Sequence, residues 1–166
     1  MDSALVGVIV GGLIGLSTQI LTAIIGRRQR WEEARRQVYV TYLERVSLSR
    51  RRLQKQVENK LAGLPTYDAE AKERREAREV TIAGWNQVRL MTRSSAVAGA
   101  ALELQVRVAT LNEILEGERE ATESALEEVI ETYERNRNEY VSAVQIELGL
   151  ATWSDRFRRR TSPRAF

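Results

Sequence analysis

From Ala4 to Ile25 the chain carries no charged side chain. Twenty-two residues at about 1.5 Å each make roughly 33 Å of helix, close to the roughly 30 Å hydrocarbon core of a bilayer. A secretory signal would place basic residues before a shorter apolar stretch and a small-x-small cleavage site after it. Here Asp2 precedes the run, and Arg27, Arg28, Arg30, Arg35 and Arg36 follow it. The expectation is a single transmembrane helix over residues 1–26. Basic flanks stay inside, so the N-terminus faces out and the rest of the chain is cytoplasmic. Trp31 lies one turn past the boundary, where an amphipathic ring suits the headgroup layer. It joins the five arginines as a candidate membrane-surface contact, with anionic lipid headgroups as the partner. A buried helix of a soluble protein is disfavoured, because no other segment is apolar enough to surround one.

Within the run, Gly7, Gly11 and Gly15 recur every four residues, and Ser3, Thr18, Thr22 and Gly26 extend the stripe. Residues four apart share a helix face. Small side chains there let two backbones approach closely, which drives association in lipid. Gln19 sits beside the stripe, and a buried amide calls for a partner across an interface. Gly7, Gly11, Gly15 and Gln19 are therefore candidate helix–helix contacts, to a second copy or to another membrane helix.

The chain has no cysteine and no histidine. This removes the thiol nucleophile, the commonest general base and the commonest metal ligand. Glu-x-x-His, the usual metal motif of helical bundles, cannot occur. The glycine stripe lies inside the apolar run, so it is no phosphate loop. Pairs such as Glu127 and Glu131 have the spacing of any solvated acidic face. The expectation is no catalytic activity, no cofactor and no metal.

Beyond the apolar run there is no alternating strand pattern, and the reading is all-α: a transmembrane helix followed by an antiparallel bundle of three or four helices over 27–149. The first bundle helix spans about 27–61, with Trp31, Val38, Tyr42, Val46, Leu53, Val57 and Leu61 as its apolar stripe. Gly26 alone punctuates the junction, so the two helices can be continuous. Gly63 and Pro65 end it. A second helix spans about 68–93, capped by Thr66 or Asp68, with Val80, Ala83, Trp85, Val88, Leu90 and Met91 inward. A break at Ser94 or Ser95 starts a third helix over about 95–116, though one helix from Asp68 to Glu116 is the alternative. Ala96, Ala98, Gly99, Ala100 and Ala101 suit a close helix crossing. After Gly117, a fourth helix over about 119–148 turns Leu126, Val129, Ile130, Tyr133, Tyr140, Val144 and Leu148 inward, and Gly149 ends it.

Charge is segregated along these helices. Residues Arg27–Leu61 hold eleven basic and four acidic side chains, and Glu113–Leu148 hold three basic and eleven acidic. Packing the first and last helices together lets these charges complement each other, although exposed pairs contribute under about 1 kcal/mol each. Residues 150–166 are basic, and the expectation is a flexible tail. Its Trp153, Arg156, Phe157, Arg158, Arg159 and Arg160 are candidate contacts to lipid or nucleic acid. Two aromatics are too few for a stacking platform, so nucleic acid is the least favoured partner.

These features together resemble a loose group of uncharacterised small membrane proteins from actinobacteria. The resemblance rests on Arg27, Arg28, Arg30, Arg35, Arg36, Tyr39, Tyr42 and Leu43 after a glycine-rich span. It continues through Arg89, Leu90, Met91, Ser94, Ser95, Val97, Ala100, Ala101 and Leu102, and ends at Tyr133, Tyr140, Glu147, Leu148 and Gly149. It implies a bacterial inner-membrane location and a helix break near Ser95, and no activity or cofactor. The function expected is that of a membrane-anchored scaffold or adaptor. The glycine-striped span self-associates, and the bundle is presented to a cytoplasmic protein. Two alternatives stand beside it: a membrane-perturbing protein of holin-like or defence type, and an anchored binder of nucleic acid or anionic lipid acting through the arginine tail.

Overall fold

The structure is a computed structural model. It describes residues 2–65 and 68–150, with side chains from Gly26 onward apart from those of Arg28 and Asp68. Among the described residues the chain is all-α, with four helices and no strand: α1 (Asp2–Leu61), α2 (Asp68–Met91), α3 (Ser95–Glu116) and α4 (Glu123–Glu147).

The chain divides into two units, Met1–Arg36 and Gln37–Phe166. Helical backbone runs without a break from Asp2 onward in the first unit. Among the described residues no helix is long and apolar enough to cross a membrane. The side chains of Ala4–Ile25, on which the expected span rests, lie outside those residues. So do the faces of Gly7, Gly11, Gly15 and Gln19. The compact second unit begins ten residues later than the expected start at 27. The reason is exposure: side chains 29–34 face solvent, and the first core residue of α1 is Tyr39.

The second unit is an antiparallel four-helix bundle. Gly84 lies against Tyr42, and Gln56 bonds Glu73, so α2 runs opposite to α1. Tyr140 reaches Tyr39 and Glu134 reaches Arg50, so α4 also runs opposite to α1. α3 packs directly against α2 and α4. Tyr42, Val46, Leu53 and Val57 of α1 meet Val97, Leu104, Leu111 and Ile114 of α3 and Leu126, Val129, Tyr133 and Tyr140 of α4 in one core.

Helix ends follow local chemistry. Gly63, Gly117 and Gly149 adopt positive φ, as the three expected stops require. At Gly63 the amides of Gly63 and Leu64 return to the carbonyls of Lys60 and Asn59 at 3.1 and 3.0 Å, a Schellman closure. Ser94 stands extended and accepts from Val97 N at 3.4 Å, which starts α3. α2 stops at Met91, so the alternative of one helix from Asp68 to Glu116 does not hold. Glu147, on the last turn of α4, secures this break. The Thr92 hydroxyl donates to its carboxylate at 2.5 Å and the Arg93 amide at 3.0 Å. α4 starts at Glu123 rather than 119, because Thr122 is the cap and accepts from Ala125 N at 3.1 Å.

Two expected apolar stripes shift. Trp31, expected on the apolar stripe, is 50% exposed. In α2, Val80, Ala83 and Leu90 are exposed, and the inward face is Ala77, Thr81, Gly84 and Val88. Leu90 is 79% exposed. The inward face is rotated toward small residues because α1 offers a tyrosine ring at this point. A carbon added at Gly84 would stand 2.8 Å from Tyr42 Cδ2. The close crossing expected at Ala96–Ala101 uses Ala101, which is buried, whereas Gly99 faces open space.

Candidate functional site

The basic segment of the first unit presents Arg27, Arg30, Trp31 and Arg36 to solvent. Their exposure follows from their spacing around a charged stretch of α1, where Glu32 and Glu33 are also exposed. Two local contacts orient the arginines. Arg30 Nε donates to the Gly26 carbonyl at 3.2 Å, and Arg36 lies 4.0 Å from Glu33. Exposed pairs of this kind contribute little energy and leave the guanidinium available. Arg35 differs, because it is buried at 7% exposure and is not offered to a surface as its neighbours are. The side chain of Arg28 and the tail residues Trp153, Arg156, Phe157, Arg158, Arg159 and Arg160 lie outside the described residues.

The second unit is fastened by a layer of tyrosines. Tyr42 on α1 donates its hydroxyl to the Ala101 carbonyl on α3 at 2.5 Å. Tyr140 on α4 donates to the Tyr39 carbonyl on α1 at 3.2 Å. The Tyr133 hydroxyl on α4 and Ser47 Oγ on α1 share a bond at 3.0 Å. The rings of Tyr42 and Tyr140 meet edge to face, with centroids 5.5 Å apart. Burial pushes the Tyr42 and Tyr140 phenols well above the ordinary tyrosine range, each helped by a neighbouring tyrosine. Burial raises Tyr133 as well, opposed by the Ser47 bond and by the nearby Arg50 charge. Such phenols stay neutral and keep their hydrogen bonds, so the layer aligns the helices.

The expected attraction between the basic first helix and the acidic last one is carried by Arg50. It pairs with Glu134 at 2.9 Å, bonds Gln54 at 2.5 Å and lies 5.0 Å from the Tyr133 ring centroid. Exposed Glu127, Glu128 and Glu131 face solvent instead. Among the described residues no group of three acidic side chains is placed to hold a metal ion.

The surface of the bundle carries two clefts of note. One lies between α1 and α2, with Arg45, Leu48, Arg52 and Val80 on its walls. The other lies between α2 and α3, with Arg78, Ala109, Asn112 and Glu113 on its walls, and Asn112 is buried at its base. Two buried residues lie outside the apolar stripes read from the sequence: Tyr39, three residues before Tyr42 on α1, and Asn112, four after Val108 on α3. No family model, curated protein or solved structure matches the chain.

Proposed function

We propose that this protein is a single-span, membrane-anchored helical scaffold or adaptor. The observation that carries the reading is the uncharged run Ala4–Ile25 followed at once by an exposed set of arginines and a tryptophan in the same helical segment. Apolar length matched to a bilayer, with a cationic aromatic border, is the pattern of an anchored helix. The border orients the anchor, with the N-terminal side outside and the bundle in the cytoplasm of a bacterial cell. Gly7, Gly11, Gly15 and Gln19 form the face on which anchors pair. Arg27, Arg28, Arg30, Trp31 and Arg36 meet anionic headgroups. The bundle, with no catalytic activity, is the part that engages another protein.

Two experiments test this reading. Carbonate extraction with reporter fusions after Phe166 should place the chain in the membrane fraction with its C-terminus inside. A freely extractable chain would overturn the anchor, and an external reporter would overturn the orientation. Gly11→Leu should convert the detergent-solubilised oligomer to a smaller species on sizing. An unchanged oligomer would remove the glycine face from the assembly.

A further inference from the structure

The cleft between α1 and α2 sets two exposed apolar side chains among charges. Leu48 of α1 is 52% exposed and Val80 of α2 is 39% exposed, and both line this cleft beside the buried Ala77. Arg45, three residues before Leu48, and Arg52, four after it, share its helix face and line the same cleft. Glu76 stands one turn before Val80 on the opposite wall. Among the described residues neither arginine makes an ion pair, and Glu76 meets only Lys72, at an exposed 3.8 Å. A lone exposed leucine is ordinary. Two branched apolar side chains in one groove, with cations on one wall and a carboxylate on the other, make a surface that a matching one can cover.

The register of the antiparallel helices fixes which residues share a level. Gln56 bonds Glu73 at 3.1 Å, and Gly84 lies against Tyr42. Between these two points Arg52 falls level with Glu76, and Leu48 with Val80. We propose that the groove is a dimer interface and that its occupant is a second copy of this chain. A two-fold axis along the groove, parallel to the helices, lays α1 of one copy over α2 of the other without changing level. Each Arg52 then faces Glu76 of the other copy, and Leu48 and Val80 of both copies form one apolar layer. Each helix at the contact has antiparallel neighbours, as in a four-helix bundle. The exposed glutamates of α4, or an anionic lipid, would answer the arginines but repel Glu76 and leave it unpaired. The 24 residues of α2 span about 36 Å. Two helices side by side are about 20 Å wide, so the face offers on the order of 700 Å² per copy, near the roughly 800 Å² of a standard interface. The contact rests on the bundle and not on membrane anchoring.

The chain has no cysteine, so introduced cysteines report the contact in the full-length protein. Leu48→Cys should form a disulfide-linked dimer on mild oxidation, and Glu128→Cys, on the exposed face of α4, should not. Arg52→Glu sets like charges opposite each other at both symmetry-related places. It should weaken association at least about tenfold by analytical ultracentrifugation in density-matched detergent. Adding Glu76→Arg should restore association. Leu48, Arg52 and Glu76 are all exposed, so these variants keep the fold. With Gly11→Leu, which removes the proposed pairing of anchors, the cross-link at residue 48 should persist at high protein concentration. Its loss there would assign assembly to the anchors alone and overturn the groove contact, whereas a chain that extracts freely from membranes leaves the contact standing. Association unchanged by Arg52→Glu would overturn the charge pairing that defines the axis. A disulfide between Leu48→Cys and Glu128→Cys chains in a mixture, without the product of two Leu48→Cys chains, would overturn the two-fold and seat α4 in the groove. A monomer at every concentration would overturn the proposal outright and leave the groove to a different chain.

Discussion

Placing a methyl group at Gly84 sets two effects of opposite sign against each other. Gly84 lies well inside α2, and alanine is favoured over glycine in a helix interior by about 1 kcal/mol. The added carbon would stand 2.8 Å from Tyr42 Cδ2 and 3.5 Å from Cε2. Ordinary contact begins near 3.4 Å, so ring and helix must part by about 0.6 Å or more. A free side chain would swing away, but Tyr42 cannot. It is 1% exposed, its hydroxyl is bonded to Ala101 O, and its ring abuts Tyr140. Overpacking of a fixed core group costs about 1–3 kcal/mol, and a strained Tyr42 bond adds about 1 kcal/mol. Gly84→Ala should therefore destabilise the bundle by about 1–3 kcal/mol net. Gly99 provides the opposite sign. It is helical and exposed, and a carbon there would meet nothing within 4 Å, so Gly99→Ala should stabilise by about 0.5–1 kcal/mol. Urea unfolding of the full-length protein, followed by circular dichroism, measures both. In a Tyr42→Leu background the Gly84→Ala cost should vanish. A Gly84→Ala protein as stable as the parent would refute the close approach of α1 and α2.

Further expectations concern helix ends and the tyrosine layer. Lys60 Nζ donates to the carbonyls of Ile114 and Leu115 at 2.7 and 3.1 Å, while the Gly117 turn returns its amides to Glu113 O instead. Lys60→Met should cost about 1 kcal/mol by chemical unfolding, and an unchanged midpoint would show that water serves these carbonyls equally well. Tyr42, Tyr133 and Tyr140 ionise at higher pH in the fold than in the unfolded chain, so their contribution is complete below about pH 10 and declines as pH rises above it. Phenolate absorbance should therefore rise together with loss of helicity. Full ionisation of all tyrosines with the helices intact would contradict their burial.

The stops at Gly63, Gly117 and Gly149 were legible because each depends on a few neighbouring residues, whereas the count of three or four helices stayed open at the Ser94 break. The break at Ser94 was legible as a cap, yet its choice over one long helix rests on Glu147, some fifty residues away, and no local rule reaches that far. The inward face of α4 read well from its tyrosines. That of α2 did not, because hydropathy favours Val80 and Leu90, whereas the space beside Tyr42 selects Gly84 and Thr81. Arginines were legible as a basic border by count, but burial separates Arg35 from the others, and count cannot show that. Asn112 was hidden for a related reason: polarity marks it as a surface residue until the neighbouring helix is in place.

The small inward face of α2 gives this helix an unusual standing in the bundle. Ala77, Thr81, Gly84 and Val88 bury little apolar area, so α2 has the least to lose on leaving. Its amides should exchange with solvent at a lower opening free energy than those of α3, which is buried along much of its length. The slot that α2 vacates is shaped by the Tyr42 ring. A competing helix would fit that place best with glycine opposite the ring, since a larger residue there meets Tyr42, so one tyrosine biases by size what can replace α2.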